Sequence, residues 1–239
     1  MKLKLAAICS ITLLACAAAS APAFAGPVNW NFYSLTGTPA MPGYVIGPST
    51  TFNQGSQSLF VQTATSADCT VATSTCAWTV PSTTDGLNLY AKNGGSAAEQ
   101  GLGLTNDPSG DNEIYFPNGI YVNLGTGNYA TSVMIGSLQG TTQSGESWAV
   151  YGSTNGSTWT LLGNGMGGLT ENFNSSSLMG YNQLIVSDPT RTPYTNANDN
   201  VLMSITTNTV PEPGTLALFG AGLLGCGIFA SRRRRARQS

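Results

Sequence analysis

Between Gly26 and Thr209 the apolar residues fall in short runs, many alternating with Ser, Thr or Asn, and turn residues separate the runs. No long stretch keeps the 3.6-residue period of a helix, whereas alternation with period two is the mark of a half-buried strand. The pattern predicts strands at 30–35, 58–65, 77–80, 87–93, 120–124, 132–138, 147–153, 157–163, 183–188 and 201–208. Many short strands with Gly-, Ser- and Asn-rich connections make an all-β fold, a single β-sandwich or jelly roll. The clearest local signal is "SWAVYGSTNGSTWTLLG", with Asn155-Gly156 as a hairpin turn between two strands. Here Trp148, Val150, Trp159 and Leu161 alternate with polar neighbours, which predicts that the four share one buried face.

The two ends do not follow this pattern. Residues 1–25 open with Lys2 and Lys4, continue through an apolar run and finish in Ala23-Phe24-Ala25. That order of parts is a secretory signal peptide, a helix-forming segment cut between Ala25 and Gly26. An uncleaved anchor, or lipoprotein processing at Leu13-Leu14-Ala15-Cys16, competes with this reading; the small-residue cleavage site favours the cut after Ala25. At the other end, Gly214 to Ala230 is free of charge, and Arg232, Arg233, Arg234, Arg235 and Arg237 follow directly. The apolar segment is at the lower limit for one transmembrane helix, and arginines of this kind stay on the cytoplasmic side as a stop-transfer block. A core helix would not end in an arginine block, and a nucleic-acid-binding arm has no use on an exported chain. The division is therefore 1–25 signal peptide, 26–209 ectodomain and 210–239 membrane tail.

Val210-Pro211-Glu212-Pro213, then a Gly/Ala/Leu-rich helix, then terminal arginines, resembles the PEP-CTERM sorting signal. The resemblance implies recognition by an exosortase and cleavage near Pro211-Glu212-Pro213. The chain would be held in the inner membrane before processing and placed at the cell surface or in the extracellular matrix after it, in bacteria that make exopolysaccharide. The physical part of that expectation is local: two prolines hold the segment beside the membrane extended and outside the helix, open to a protease. A shorter resemblance lies in "VYGSTNGSTWTLLG", which is similar to a hairpin of discoidin-type and related galactose-binding-like jelly rolls. It implies the fold and carries over no ligand site.

Charge sharpens the picture. Nine basic residues against eleven acidic ones hide an uneven distribution. From Gly26 to Thr209 only Lys92 and Arg191 are basic, against ten acidic residues, a net charge of −8. An acidic domain without a basic patch is no nucleic-acid binder and no ligand for an anionic membrane surface. Of the five cysteines, the ectodomain keeps Cys69 and Cys76. In an oxidising compartment such a pair reads as a local disulfide; a soft metal site competes, but without histidine or further cysteine its four ligands cannot be assembled.

The chain contains no histidine. That removes Ser-His-Asp and Cys-His catalysis and every imidazole metal site, and no phosphate-binding glycine loop is present. Two carboxylates alone could hydrolyse a glycoside, but no pair stands out among ten acids, and the expectation is that the protein is not an enzyme. In "LTNDPSGDNEIYF", Asp107, Asp111 and Glu113 put hard oxygen ligands in a turn-rich loop; calcium is one reading and turn capping the other. A second polar stretch, 188–200, could lie beside it. Tyr44, Trp78, Tyr115, Tyr121, Tyr129, Tyr181 and Tyr194 are candidate sugar-stacking aromatics, with core packing as their ordinary role. The expectation is an exported structural or adhesive protein acting among exopolysaccharide, processed by exosortase. The alternative is a carbohydrate-binding jelly-roll module, calcium-assisted, and no other cofactor is implied.

Overall fold

The computed structural model describes residues 26–35, 43–55, 57–66, 75–82, 86–93, 96–105, 110–138, 140–141, 144–189 and 199–209. The strands are β1 (Val28–Asn31), β2 (Tyr44–Gly47), β3 (Ser49–Gln54), β4 (Gln57–Thr65), β5 (Thr75–Cys76), β6 (Leu89–Asn93), β7 (Gln100–Leu104), β8 (Ile114–Tyr115) and β9 (Asn118–Asn123). They continue with β10 (Asn128–Leu138), β11 (Gly140–Thr141), β12 (Ser144–Gly145), β13 (Ser147–Ser153), β14 (Trp159–Met166), β15 (Leu169–Phe173), β16 (Gln183–Ser187) and β17 (Asp199–Thr209). Pro27–Asn208 forms one compact unit.

Two sheets carry the fold, which is an all-β sandwich. One runs β15-β10-β17-β7-β6-β2, with β1 and β8 also paired to β17. The other runs β3-β4-β9-β16-β13-β14-β5. From β9 onward the chain passes repeatedly between them: β10, β15 and β17 belong to the first sheet, β13, β14 and β16 to the second. At Pro48 a single extended stretch changes sheet, so that β2 and β3 end one edge of each.

Alternation along the strands builds the core. Leu59 and Val61 of β4, Ile120 and Val122 of β9, Leu184 and Val186 of β16, and Trp148 and Val150 of β13 meet Leu89, Leu102, Val133, Ile135 and Leu202 of the opposite sheet. Trp30 joins them with its indole N–H on Thr207 Oγ1 at 3.0 Å. Closing this layer removes most of the large apolar side chains from water, the dominant favourable term in folding.

The hairpin departs from the expected single face. Trp148 and Val150 enter the core between the sheets, but Trp159 and Leu161 belong to a second cluster on the outer face of the same sheet. The cause is a β-bulge: Val150 faces Gly163 and Tyr151 faces Leu161, so Leu162 is the extra residue on β14 and alternation inverts there. The turn is also wider than two residues. Ser153 Oγ accepts the Gly156 N–H at 2.9 Å, and Asn155 Oδ1 accepts those of Ser157 at 2.9 Å and Thr158 at 3.0 Å.

Two further expectations are corrected. The stretch 30–35 is a strand only as far as Asn31; Phe32–Leu35 is a helical turn, with Asn31 Oδ1 accepting the Ser34 N–H at 3.2 Å. Residues 77–80 are not a full strand: Thr79 makes an isolated bridge to Thr65, and the short strand lies before them, at β5.

Candidate functional site

Three places collect side chains with chemistry. The first is the outer face of the β4–β9–β16–β13–β14 surface. Ala64, Tyr121, Ile185, Ala149, Tyr151 and Trp159 point away from the main core and would lie in water if nothing covered them. The segment 75–82 does so, placing Cys76, Trp78 and Val80 on them. Paired hydrogen bonds tie it to the end of β4: Thr65 N to Thr79 O at 3.1 Å, Thr79 N to Thr65 O at 2.8 Å, and Ser66 Oγ to Ala77 O at 2.6 Å. Rings meet at 5.7 Å for Trp78 and Tyr151 and 6.0 Å for Tyr121 and Trp159, in tilted and edge-on arrangements. Among the described residues, the Trp78 and Trp159 indole nitrogens and the Tyr151 hydroxyl are buried here without a partner. Desolvation pushes the Tyr151 phenol up to about 12 and raises that of Tyr121 as well, although a hydrogen bond with Asn123 pulls Tyr121 back.

The second place is the outer side of β6 and β10. Lys92 reaches the Glu113 carboxylate, which also accepts from Ser137 Oγ. Ser137 sits at a bulge in β10 with a φ of 60°, which turns its hydroxyl toward that carboxylate. The strand alongside, β7, reads "QGLGL" and looks like a turn in sequence. Gly103 is needed because a Cβ there would stand 1.8 Å from Asn112 O. The third place is a polar end of the sandwich: Glu146, Ser147, Ser187, Asp188 and Asn200 are all buried where β13 and β17 begin and β16 ends.

The acidic loop is divided by this arrangement. Asp111 is exposed, Glu113 turns inward to Lys92 and Ser137, and Asp107 lies outside the described residues. Among the described residues no group of three His, Cys, Asp or Glu side chains could hold a metal. The two polar stretches do come together: β8 pairs with β17, setting Ile114 opposite Asn200 and Tyr115 opposite Asp199.

Of the candidate sugar-stacking residues, Trp78 and Tyr121 are buried, Tyr115, Tyr129 and Tyr181 are half-buried, Tyr44 is exposed, and Tyr194 lies outside the described residues. They do not form one platform, since Trp78 and Tyr121 are in the outer cluster and Tyr44 is on an edge strand. Cys76 is disulfide-bonded. Cys69, Ala25, Pro211, Glu212, Pro213, residues 214–230 and Arg232, Arg233, Arg234, Arg235 and Arg237 lie outside the described residues, while Gly26 is exposed. No helix among the described residues is long and apolar enough to cross a membrane.

Sequence reasoning did not single out Ser137, Ser147 or Ser187; Lys92 entered it only as one of two basic residues, and Asn200 only as the last residue of the polar stretch 188–200. The available signal was polar residues at strand ends, as in "VSD" and "DNV", and such residues are common at the surface.

The fold and tail together define a β-sandwich ectodomain with a C-terminal sorting signal. Residues 209–235 match the PEP-CTERM protein-sorting motif. The motif supports export, membrane anchoring through the C-terminal tail and processing by exosortase. No curated protein and no solved structure matches the chain.

Proposed function

We propose that this protein is a non-enzymatic structural or adhesive component of the cell surface or extracellular matrix, working among exopolysaccharide. The signal peptide delivers the chain through the inner membrane and is cut after Ala25. Residues 214–230 then hold it there as a single helix, with the arginines from Arg232 on the cytoplasmic side. Exosortase cleaves near Pro211-Glu212-Pro213 and passes on the sandwich, closed by a Cys69–Cys76 disulfide.

The observation that carries this reading is the PEP-CTERM motif over residues 209–235. Supporting it are a histidine-free chain and a net charge of −8 between Gly26 and Thr209. The charge keeps the released domain soluble and repels it from anionic lipid. The burial of Trp78, Tyr121, Tyr151 and Trp159 in the outer cluster favours packing over sugar stacking for those four rings.

Intact-mass measurement of the protein from its own host, on membrane and medium fractions separately, tests the proposal. The expected species in the medium begins at Gly26 and ends near Pro211-Glu212-Pro213. A protein that everywhere retains Gly214 to Ser239 would overturn processing and release, and leave a plain membrane-anchored ectodomain.

A further inference from the structure

The strands that end a sheet carry unpaired backbone donors and acceptors, and proteins guard them with charges, bulges or short length. Of the four strands that end the two sheets, β5 is two residues long, β2 is broken by a bulge between Val45 and Gly47, and β15 carries the exposed Glu171. Strand β3 has none of these guards. Its six residues pair with β4 in unbroken register, and no charged residue occurs from Gly26 to Ala67. The hairpin fixes which of its groups face outward. Gln54 and Gln57 flank a two-residue turn and so form a hydrogen-bonded pair; Phe52 with Leu59 and Thr50 with Val61 follow at every second position. The bond from Thr63 N to Pro48 O, at 3.0 Å, continues that series. The backbone N–H and C=O groups of Ser49, Thr51 and Asn53 therefore point away from β4, and these three side chains are exposed. No other strand among the described residues pairs with that side of β3.

We propose that this edge is a dimerisation site, at which β3 pairs antiparallel with β3 of a second copy about a two-fold axis through Thr51. In that register Thr51 meets its own counterpart, and Ser49 of each copy meets Asn53 of the other. All the outward groups are matched at once, in about six hydrogen bonds. A shift of two residues either way sets Ser49 or Asn53 opposite a residue outside β3. The Thr–Thr and Ser–Asn pairs that face each other are uncharged and suited to cross-strand contact. Charge argues for a second copy as the occupant. Each ectodomain carries a net charge of −8, so copies repel, and the uncharged edge is where two of them approach at least cost. A charged partner would find no counter-charge on β3. Tyr44 and Val45 lie on β2, which ends the other sheet on the same side, and are 44 % and 55 % exposed. They are among the few large apolar side chains left in water. Pairing at β3 would join two seven-stranded sheets into one continuous sheet. The contact is small, which makes the dimer reversible. It links copies of the protein directly and does not depend on processing of the tail.

The test uses the full chain purified in detergent, with mass read by sedimentation equilibrium over a range of concentrations. The expected result is a monomer–dimer equilibrium that tightens as sodium chloride screens the repulsion between the acidic domains. Thr51→Lys sets like charges opposite each other at an exposed position. It should raise the dimer Kd by roughly tenfold or more and leave the thermal unfolding of the monomer unchanged. Asn172→Lys makes the same change of charge on the exposed edge of β15 and should not weaken the dimer. Thr51→Cys is expected to cross-link two copies on mild oxidation, since a hydrogen-bonded antiparallel pair holds its Cα atoms about 5.5 Å apart, within disulfide range. Gln54→Cys should not, because the register sets it about 20 Å from its own counterpart. A chain that stays monomeric, or a dimer that Thr51→Lys leaves intact, would overturn the proposal. So would a dimer weakened by Asn172→Lys, or equal cross-linking by the two cysteine variants, either of which would place the contact elsewhere.

Discussion

Lys92 and Glu113 form an ion pair withdrawn from water, their side chains 12 % and 3 % exposed. A charge so placed is costly to leave without its counter-charge, whereas the pair as a whole adds little over well-packed apolar residues. Lys92→Met is therefore expected to destabilise the ectodomain by about 3–5 kcal/mol. The double variant Lys92→Met/Glu113→Leu should recover much of that loss, because no buried charge remains. Urea unfolding of the four proteins of the cycle measures it. A double variant no more stable than Lys92→Met alone would show that Glu113 contributes through its bond from Ser137 and not through charge.

Trp78 packs on the backbone of Gly119, and the outer cluster depends on that approach. A Cβ at Gly119 would lie 2.9 Å from Ile185 Cγ2, 3.0 Å from Trp78 Cζ3 and 3.0 Å from Val186 O. Gly119→Ala should cost about 1–3 kcal/mol through overpacking. Trp78→Ala should cost about 3–5 kcal/mol, because it empties a large site and uncovers Tyr151. In the Trp78→Ala background the cost of Gly119→Ala shrinks without vanishing, since the Ile185 and Val186 contacts remain. Strict additivity in chemical denaturation would mean that the indole is not what crowds Gly119.

The strands legible in sequence were those whose alternation is uninterrupted. Residues 147–153 are read at their observed bounds, and 58–65, 183–188 and 201–208 within one or two residues. The sandwich follows from them. The strands β2, β3, β7, β8 and β15 were not legible, for identifiable reasons. Strand β7 carries Gly101 and Gly103, which read as a turn but serve a close backbone crossing. At β2 and β3, edge strands, the exposed Tyr44 and Val45 and the run "STTFNQ" give no alternation. The outer cluster was hidden because a single bulge residue, Leu162, inverts the face of β14. The polar end was hidden because burial of Ser147, Asp188 and Asn200 depends on three strand ends distant in sequence. The sorting tail, by contrast, is a contiguous signal and needs no fold to be seen.

Tyr151 gives a pH dependence with a definite sign. Burial favours its neutral phenol, so the folded value lies near 12 against 10.0 for the free side chain. The unfolded chain ionises first as pH rises. The contribution to stability is complete below pH 10 and is lost between about pH 10 and 12, up to roughly 2–3 kcal/mol. Tyr121 shifts in the same direction and adds to the loss. Because the Tyr151 hydroxyl is buried without a partner among the described residues, Tyr151→Phe should stabilise the ectodomain by about 1–2 kcal/mol and flatten its alkaline decline. Unfolding between pH 8 and 12, with tyrosinate absorbance read in parallel, decides it. A phenylalanine variant less stable than the parent at pH 8 would mean that the hydroxyl has a partner after all.

Cys76 stands opposite Trp159 in the pairing of β5 with β14, and its disulfide is placed to hold the covering segment on the outer cluster. With Cys69 as its partner, as proposed above, the bond closes a short loop. A loop of that size should contribute about 2 kcal/mol. Reduction, or Cys76→Ser, is expected to lower stability by that amount while leaving the main core intact, because the core residues belong to a separate cluster. The cover would loosen first: Trp78 and Trp159 become accessible, their fluorescence moves to the red, and the amides of Thr65 and Thr79, paired across the cover, exchange faster. Cys69→Ser should reproduce every one of these effects. A Cys69→Ser protein that kept slow exchange at Thr65 and Thr79 would show that the backbone bonds hold the cover without help from the disulfide. Global unfolding on reduction would show instead that the two clusters are a single cooperative unit.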